Sequence, residues 1–275
     1  MSYNYDWDEI LDVYVKRIAA PDGRDTFEST TELVSDIIKI AELKSSDTLI
    51  DIGSGWGNTA IPLSQKVSHI TGIEPDKKNI GEAEKRTQNL QIKNIQYIQG
   101  SFEKPNCNIT ADKIISSLAF HQVAYGKRKK ALSNIKKLLS ENGKFILCDT
   151  CMFFDTEHNS ELFNKVYRYV LAKTTPTKIY DKYIKPHMEK DLSYIYTWAD
   201  MKKYTPKKSR FYSENDLEKL LTALNMKITK KKLYTPFFGI AVIERAVCSA
   251  RRQFERPSAH CCIQAECLRL NLRRR

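Results

Sequence analysis

Apolar positions along the chain fall into two rhythms. Compact runs of mostly apolar residues occupy Thr48 to Asp51, His69 to Ile73, Ile95 to Ile98, Asp112 to Leu118 and Lys144 to Cys148. Between them lie longer stretches whose apolar residues recur three and four positions apart, such as Thr59 to Lys66, Lys77 to Asn89 and Lys127 to Leu139. The first rhythm predicts buried strands and the second amphipathic helices. Strand and helix alternating in this way demand right-handed crossovers and a parallel sheet, so the fold class is α/β.

The alternation has edges. Ile10, Leu11, Tyr14, Val15 and Ile18 recur at helical spacing, Pro21-Asp22-Gly23 breaks the run, and a second helix is predicted from about Ser29 to Leu43. Residues 1–45 therefore read as N-terminal cap helices and 46–150 as the core. From 151 to 212 the alternation stops. This stretch is rich in tyrosine, has more basic than acidic residues and holds a helical patch at Ser160 to Ala172; it reads as a helical lid inserted over the sheet. The core resumes over 213–247. Ser213-Glu214-Asn215-Asp216 has the form of a capping box, and a helix to Leu224 precedes strands at Met226 to Tyr234 and Phe237 to Ala246.

The most informative stretch is Leu49-Ile50-Asp51-Ile52-Gly53-Ser54-Gly55-Trp56-Gly57-Asn58. Alternate glycines let a chain turn sharply out of a strand and approach a ligand closely. The turn delivers that ligand to the start of the next helix. The spacing is G-x-G-x-G, one residue shorter than the dinucleotide fingerprint, and Asp51 sits two residues before the first glycine. A carboxylate there disfavours a pyrophosphate and favours a cationic or amino-bearing ligand. Gly72-Ile73-Glu74-Pro75-Asp76 places a second acid at a strand end roughly twenty residues on, where an acid accepts from ribose hydroxyls.

Asp51, the glycine triplet and Glu74, in this order, resemble the class I S-adenosylmethionine-dependent methyltransferases, and the Ser116-Ser117-Leu118-Ala119-Phe120-His121 string resembles the fourth motif of their small-molecule branch. The resemblance spans about Asp47 to Arg245, apart from the lid. It implies a three-layer Rossmann-like fold with a seven-stranded, mostly parallel sheet and an antiparallel C-terminal hairpin. It implies S-adenosyl-L-methionine as cofactor and S-adenosyl-L-homocysteine as product. The cofactor residues it implies are Asp51, Gly53, Ser54, Gly55, Trp56, Gly57, Glu74, Pro75, Ser101, Phe102, Ser117 and Leu118. At Ser101 the chain departs from the acid often found there, which leaves Phe102 and backbone groups to frame the adenine. The N/D-P-P-Y/F string and the Pro-Cys nucleophile of two nucleic-acid methylase chemistries are absent.

His121 follows the strand expected to end beneath the transferred methyl, so it is the candidate base for a hydroxyl or carbon acceptor; a polar contact to lid or backbone is the plainer role. His158 and His187 lie in the lid. Asp149 is expected to face the cleft or to cap the lid. Tyr5, His121, Tyr194 and Tyr196 are the candidate substrate contacts, and Tyr3 and Trp7 either line the site or pack the sheet edge. An aromatic, basic lid suits an acidic or aromatic small molecule. It also suits stacked RNA bases, so an RNA or protein methyltransferase is the alternative, and a cofactor-binding protein without turnover is another.

Composition changes this picture in one place. The net charge is +12, and residues 249–275 contribute about five of those charges through seven Arg and two Glu, with no Lys and three of the seven Cys. This Arg- and Cys-rich tail, 248–275, reads as a poorly ordered extension of foreign origin or as a basic arm for nucleic acid. Lys127-Arg128-Lys129-Lys130 is either a nucleic-acid patch or the solvated start of a helix. The cysteines lack metal-ligand spacing, so no metal is expected, and Cys148-x-x-Cys151 follows a late strand rather than opening a redox helix. No apolar run has bilayer-spanning length. A cytoplasmic chain with reduced thiols is expected.

Overall fold

The computed structural model describes residues 7–19, 25–175, 177–186, 195–205, 207 and 210–246. Tyr3, Tyr5, His187, Tyr194 and the 248–275 tail lie outside the described residues.

The core is one seven-stranded sheet. Its strands are β3 (Thr48–Ile52), β4 (His69–Glu74), β5 (Ile95–Gln99), β6 (Ala111–Ser117), β7 (Leu139–Thr150), β8 (Met226–Thr235) and β9 (Phe238–Arg245). They lie in the order β5-β4-β3-β6-β7-β9-β8. The first five are parallel, and β9 runs antiparallel to both β7 and β8. Order reverses between β3 and β6, where Asp51 pairs with Ile115 in register. Open α/β sheets bind their ligands outside the carboxyl ends of the strands at such a switch point.

Alternation along the strands builds two cores. Leu49, Ile70, Ile115, Ile146 and Ile240 face one side and pack with Leu33 and Ile37 of α2 (Thr31–Ala41). Ile50, Ile52, Ile114, Phe145 and Leu147 face the other. There they meet Ala131, Leu132 and Ile135 of α5 (Arg128–Leu138). Strands covered on both faces must be apolar on both faces, which is why β3 and β6 read as near-continuous runs. Two further helices connect strands, the short α3 (Ala60–Leu63) and α4 (Lys77–Asn89), whose N-cap Asp76 accepts from the Lys78 amide.

The N-terminal region corrects one expectation. The helix α1 (Trp7–Tyr14) stops at Tyr14, and β1 (Val15–Ala19) pairs antiparallel with β2 (Asp25–Ser29). The spacing of Ile10 to Ile18 suits a helix, yet Val15 and Ile18 are β-branched and Pro21-Asp22-Gly23 carries the turn chemistry of a hairpin. The cap is thus helix, hairpin and helix.

Residues 151–212 hold α6 (Ser160–Thr174), α7 (Thr177–Ile179), a π-helical turn at Tyr180–Ile184 and α8 (Trp198–Tyr204). Phe163, Val166 and Val170 of α6, with Trp198 and Met201 of α8, are buried against the α2 side of the core. Many of the aromatics here pack; Tyr183 and Tyr204 remain exposed. The capping box at Ser213 and Asp216 opens α9 (Glu214–Thr222) as its sequence indicates. Among the described residues no helix is long and apolar enough to cross a membrane.

Candidate functional site

The glycine loop leaves β3 at the switch point. The Gly53 and Ser54 amides both donate to the Ile73 carbonyl, at 2.8 and 3.1 Å, which pins the loop to β4. Gly53, Gly55 and Gly57 all have positive φ, +79°, +53° and +75°, a region that favours glycine. A Cβ on Gly53 would stand 2.4 Å from the Ala119 Cβ, and one on Gly57 would stand 2.4 Å from the Tyr97 hydroxyl. A Cβ on Gly55 would meet nothing within 4 Å. The loop is therefore tight at both ends and open in the middle, the shape of a cradle.

Asp51 lies beneath this cradle, 1 % exposed, and neither carboxylate oxygen makes a hydrogen bond of normal geometry, the Ala60 amide being the donor that bears on it. Burial, reinforced by the neighbouring Glu74 carboxylate, pushes its carboxyl up to about 7, while the Ala60 amide pulls the other way. The Ser54 hydroxyl is likewise buried without a partner. Glu74 is better provided for: Oε2 accepts the Gly55 amide at 3.0 Å, and Oε1 accepts the Asp76 amide and the Asn79 side chain, each at 3.1 Å. Trp56 donates its indole N–H to Asn79 at 3.0 Å, and Arg86 donates to the Trp56 carbonyl at 3.1 Å. The two acids and the glycine loop thus form one connected unit.

The other expected cofactor residues fall around it unevenly. The Phe102 ring lies 3.5 Å from the position of a Gly53 Cβ and meets Phe120 edge to face. Leu118 stands at the end of β6 with φ +52°, a left-handed backbone rare for a branched residue. Its amide is held by the Cys148 carbonyl at 2.8 Å. Ser117 precedes it, half-buried. Ser101 spends its hydroxyl locally, accepting the Lys104 amide, and Pro75 is exposed, its carbonyl held by Gln99.

Past Leu118 the chain reaches His121. Asp149, at the end of β7 and fully buried, accepts the His121 backbone amide at 2.7 Å through Oδ2. Its Oδ1 meets the His121 ring Nδ1 at 2.6 Å. Burial disfavours the imidazolium, yet the Asp149 carboxylate outweighs it and holds the His121 pKa above its ordinary value. The contact leaves Nε2 as the ring nitrogen not bound to Asp149, and the side chain is 36 % exposed. His158 instead pairs with Asp155 at the surface.

A cavity of about 240 Å³ opens beside His121 and Leu118. Leu11, Val15 and Val170 form one part of its wall, and Tyr169, Phe211, Tyr212, Phe237 and Phe238 the aromatic part. Tyr196 is not among the lining residues; it is exposed, and its amide donates to Asp200. Arg128 also lines the cavity, buried, with its Cζ 4.6 Å over the Tyr212 ring. This corrects the reading of Lys127 to Lys130 as one exposed basic face: Arg128 shares a helix face with Leu132 and Ile135 and turns inward. That spacing was a signal in the sequence. Arg210 and Tyr212, which also line the cavity, lie in a stretch without periodicity and had none. Cys148 and Cys151 are free and buried, their thiols raised by burial.

Comparison with known proteins identifies the family. A family model described as a methyltransferase domain matches residues 43–238. An uncharacterized methyltransferase of Alkaliphilus oremlandii is 28% identical over 212 residues, covering 74% of this chain and 94% of that protein. The crystal structure of a SAM dependent methyltransferase from Aquifex aeolicus has a TM-score of 0.52 at 14% identity, covering 87% of this chain and 98% of that one. YcgJ from Bacillus subtilis has a TM-score of 0.52 at 19% identity, covering 74% and 72%. At such identities these structures establish the fold. The chain belongs to the methyltransferase domain family and has its Rossmann-like, seven-stranded architecture.

Proposed function

We propose that this protein transfers a methyl group from S-adenosyl-L-methionine to a small-molecule acceptor bound in the cavity beside His121. The observation that carries the reading is the buried Asp51 carboxylate, without a hydrogen bond of normal geometry, under a glycine loop that is open at Gly55. Leaving such a group unpaired is costly, and an amino-bearing ligand in the loop offsets that cost. When bound, the cofactor supplies an electrophilic methyl on a sulfonium centre.

The chain's own residues hold and align. Asp51 and Ser54 present unused acceptors to the ligand's amino-acid end. Glu74 takes the ribose hydroxyls, already oriented by Gly55 and Asn79. Phe102 frames the adenine, and Ser117 and Leu118 border the cofactor by backbone. The end of α6 and residues 210–212, with α1, border the cavity as part of a lid. Alignment of two reactants accounts for much of the barrier reduction in such a displacement. His121 accepts the acceptor's proton through Nε2, with Asp149 fixing the ring and stabilising its charged form.

The test is transfer of a labelled methyl from S-adenosylmethionine to a panel of small hydroxylated and amino compounds, with RNA and protein acceptors alongside. The reading expects label in a small molecule and its loss in His121→Gln. Label appearing only in macromolecules overturns the small-molecule assignment.

A further inference from the structure

The cavity beside His121 carries a one-sided set of charges. Its titratable and charged lining residues are His121, Arg128, Lys173 and Arg210, and no Asp or Glu lines it. Lys173 is matched by Asp8 at 2.7 Å. The two arginines are not matched: among the described residues neither makes an ion pair. Arg128 is 1 % exposed, and its guanidinium is spent on backbone carbonyls. Nε donates to Val123 at 3.0 Å and Nη2 to Arg210 at 3.0 Å, while Nη1 has no partner. Arg210 donates its Nε to the Thr205 carbonyl at 3.0 Å. The Tyr212 hydroxyl is buried beside them, within reach of the Asp149 carboxylate. Asp149 and Asp216 offset part of the Arg128 charge, but Asp149 is itself engaged by His121, the Thr150 amide and Tyr212.

A buried guanidinium that makes no direct ion pair and is only partly offset by more distant carboxylates is costly to desolvate. Neutral carbonyls return part of that, and a carboxylate returns more, because its two oxygens match the guanidinium fork. We infer that the acceptor molecule carries a carboxylate, anchored by Arg210 with the charge of the adjoining Arg128 behind it, on a small apolar body that packs against the aromatic wall. The volume, 240 Å³, lies below the roughly 300–1,000 Å³ of drug-sized sites. The body is therefore of the size of a substituted ring. This rests on the methyl-transfer reading for the word acceptor; the anion site itself stands on the arginines.

The experiment is calorimetric titration of small aryl and arylalkyl acids (benzoate, 3-phenylpropanoate and their hydroxylated forms) into the full chain saturated with S-adenosylhomocysteine. The matching primary amides and amines serve as controls. We expect the acids to bind about tenfold or more tightly than their amides, the factor for a hydrogen bond to a charged group, and the amines not to bind. Arg210→Gln, at a half-buried position, is expected to abolish that preference while leaving S-adenosylhomocysteine binding unchanged, and Arg210→Lys to restore part of it. Amides binding as well as acids, acids unaffected by Arg210→Gln, or no acid binding at all would each overturn the inference. Failure of S-adenosylhomocysteine itself to bind counts against the methyl-transfer reading instead. The contrast between acids and amides, repeated on the free protein, then still decides the anion site.

Discussion

Asp149 grips His121 at two points, its Oδ2 on the backbone amide at 2.7 Å and its Oδ1 on the ring Nδ1 at 2.6 Å. A histidine held at both backbone and ring has one orientation and one free nitrogen. Because the carboxylate raises the His121 pKa above the ordinary 6.5, the neutral, basic ring predominates only above that raised value. Methyl transfer should therefore climb with pH through an apparent pKa above 6.5 and then level off. Asp149→Asn should move the climb to lower pH and lower the plateau, and His121→Gln should cost about 10²–10⁴ in kcat, the usual worth of a general base. A pH-independent rate through this range, with His121→Gln unaffected, contradicts the assignment. The same shift stabilises the fold below pH 6.5, and that contribution is lost as pH rises through the folded value.

Asp51 shifts stability with pH in the same direction, but from the other cause: its charged form is the one the fold disfavours. The unfolded chain gives up this proton near 3.8, while the folded chain retains it to about 7. Between those values the folded state binds the extra proton, so stability falls as pH rises, by a few kcal/mol across the window. Asp51→Asn removes that cost. Urea denaturation at pH 8 should show the variant more stable than the parent, and S-adenosylhomocysteine binding should weaken more than tenfold from the loss of a charged acceptor. A variant that is less stable at pH 8 would count against a buried, uncompensated carboxylate.

The glycines separate fold from binding. Gly53→Ala places a Cβ 2.4 Å from the Ala119 Cβ at φ +79°. Neither atom sits on a flexible tether, so about 2–4 kcal/mol of destabilisation is expected from overpacking and left-handed strain together. Gly55→Ala meets open space and pays only the strain at φ +53°, about 1–2 kcal/mol. Its cofactor affinity should nonetheless fall, since the added methyl enters the cradle. Denaturation midpoints and titrations on both variants check this, and equal stability losses would refute the distinction.

Leu118, at φ +52°, is one of five non-glycine residues with positive φ among the described residues, and the one that borders the cavity. Strained backbone of this kind clusters where loops meet ligands. Leu118→Gly should relieve about 1 kcal/mol of local strain yet remove a wall of the cavity, so it should raise KM for the acceptor more than it lowers stability. Steady-state kinetics with denaturation on the same variant separate the two effects; an unchanged KM would place Leu118 outside the acceptor site.

How much of this was legible follows from which interactions are local. The parallel strands were readable because burial on both faces forces continuous apolar runs, and the glycine loop because a positive φ excludes most side chains. The β1–β2 hairpin was not, because Ile10 to Ile18 fits a helical period while two β-branched residues and the turn say otherwise. Asp149 reads equally as facing the cleft or capping the lid and His121 as a base or a plain polar contact, because their mutual contact spans 28 positions and has no periodic signature. Arg128 was hidden inside a basic run, although its place four residues before Leu132 marks it as inward. Arg210 and Tyr212 stand in a segment with neither helical nor strand periodicity.

The most direct measurement of the central claim is calorimetric titration of S-adenosylmethionine, S-adenosylhomocysteine and NAD into the purified chain, with Asp51→Ala and Glu74→Ala alongside. Micromolar binding of both sulfur nucleosides is expected, with its loss in the two variants and no binding of NAD. Binding of NAD in their place, or sulfur-nucleoside binding that is indifferent to Asp51 and Glu74, would contradict the claim.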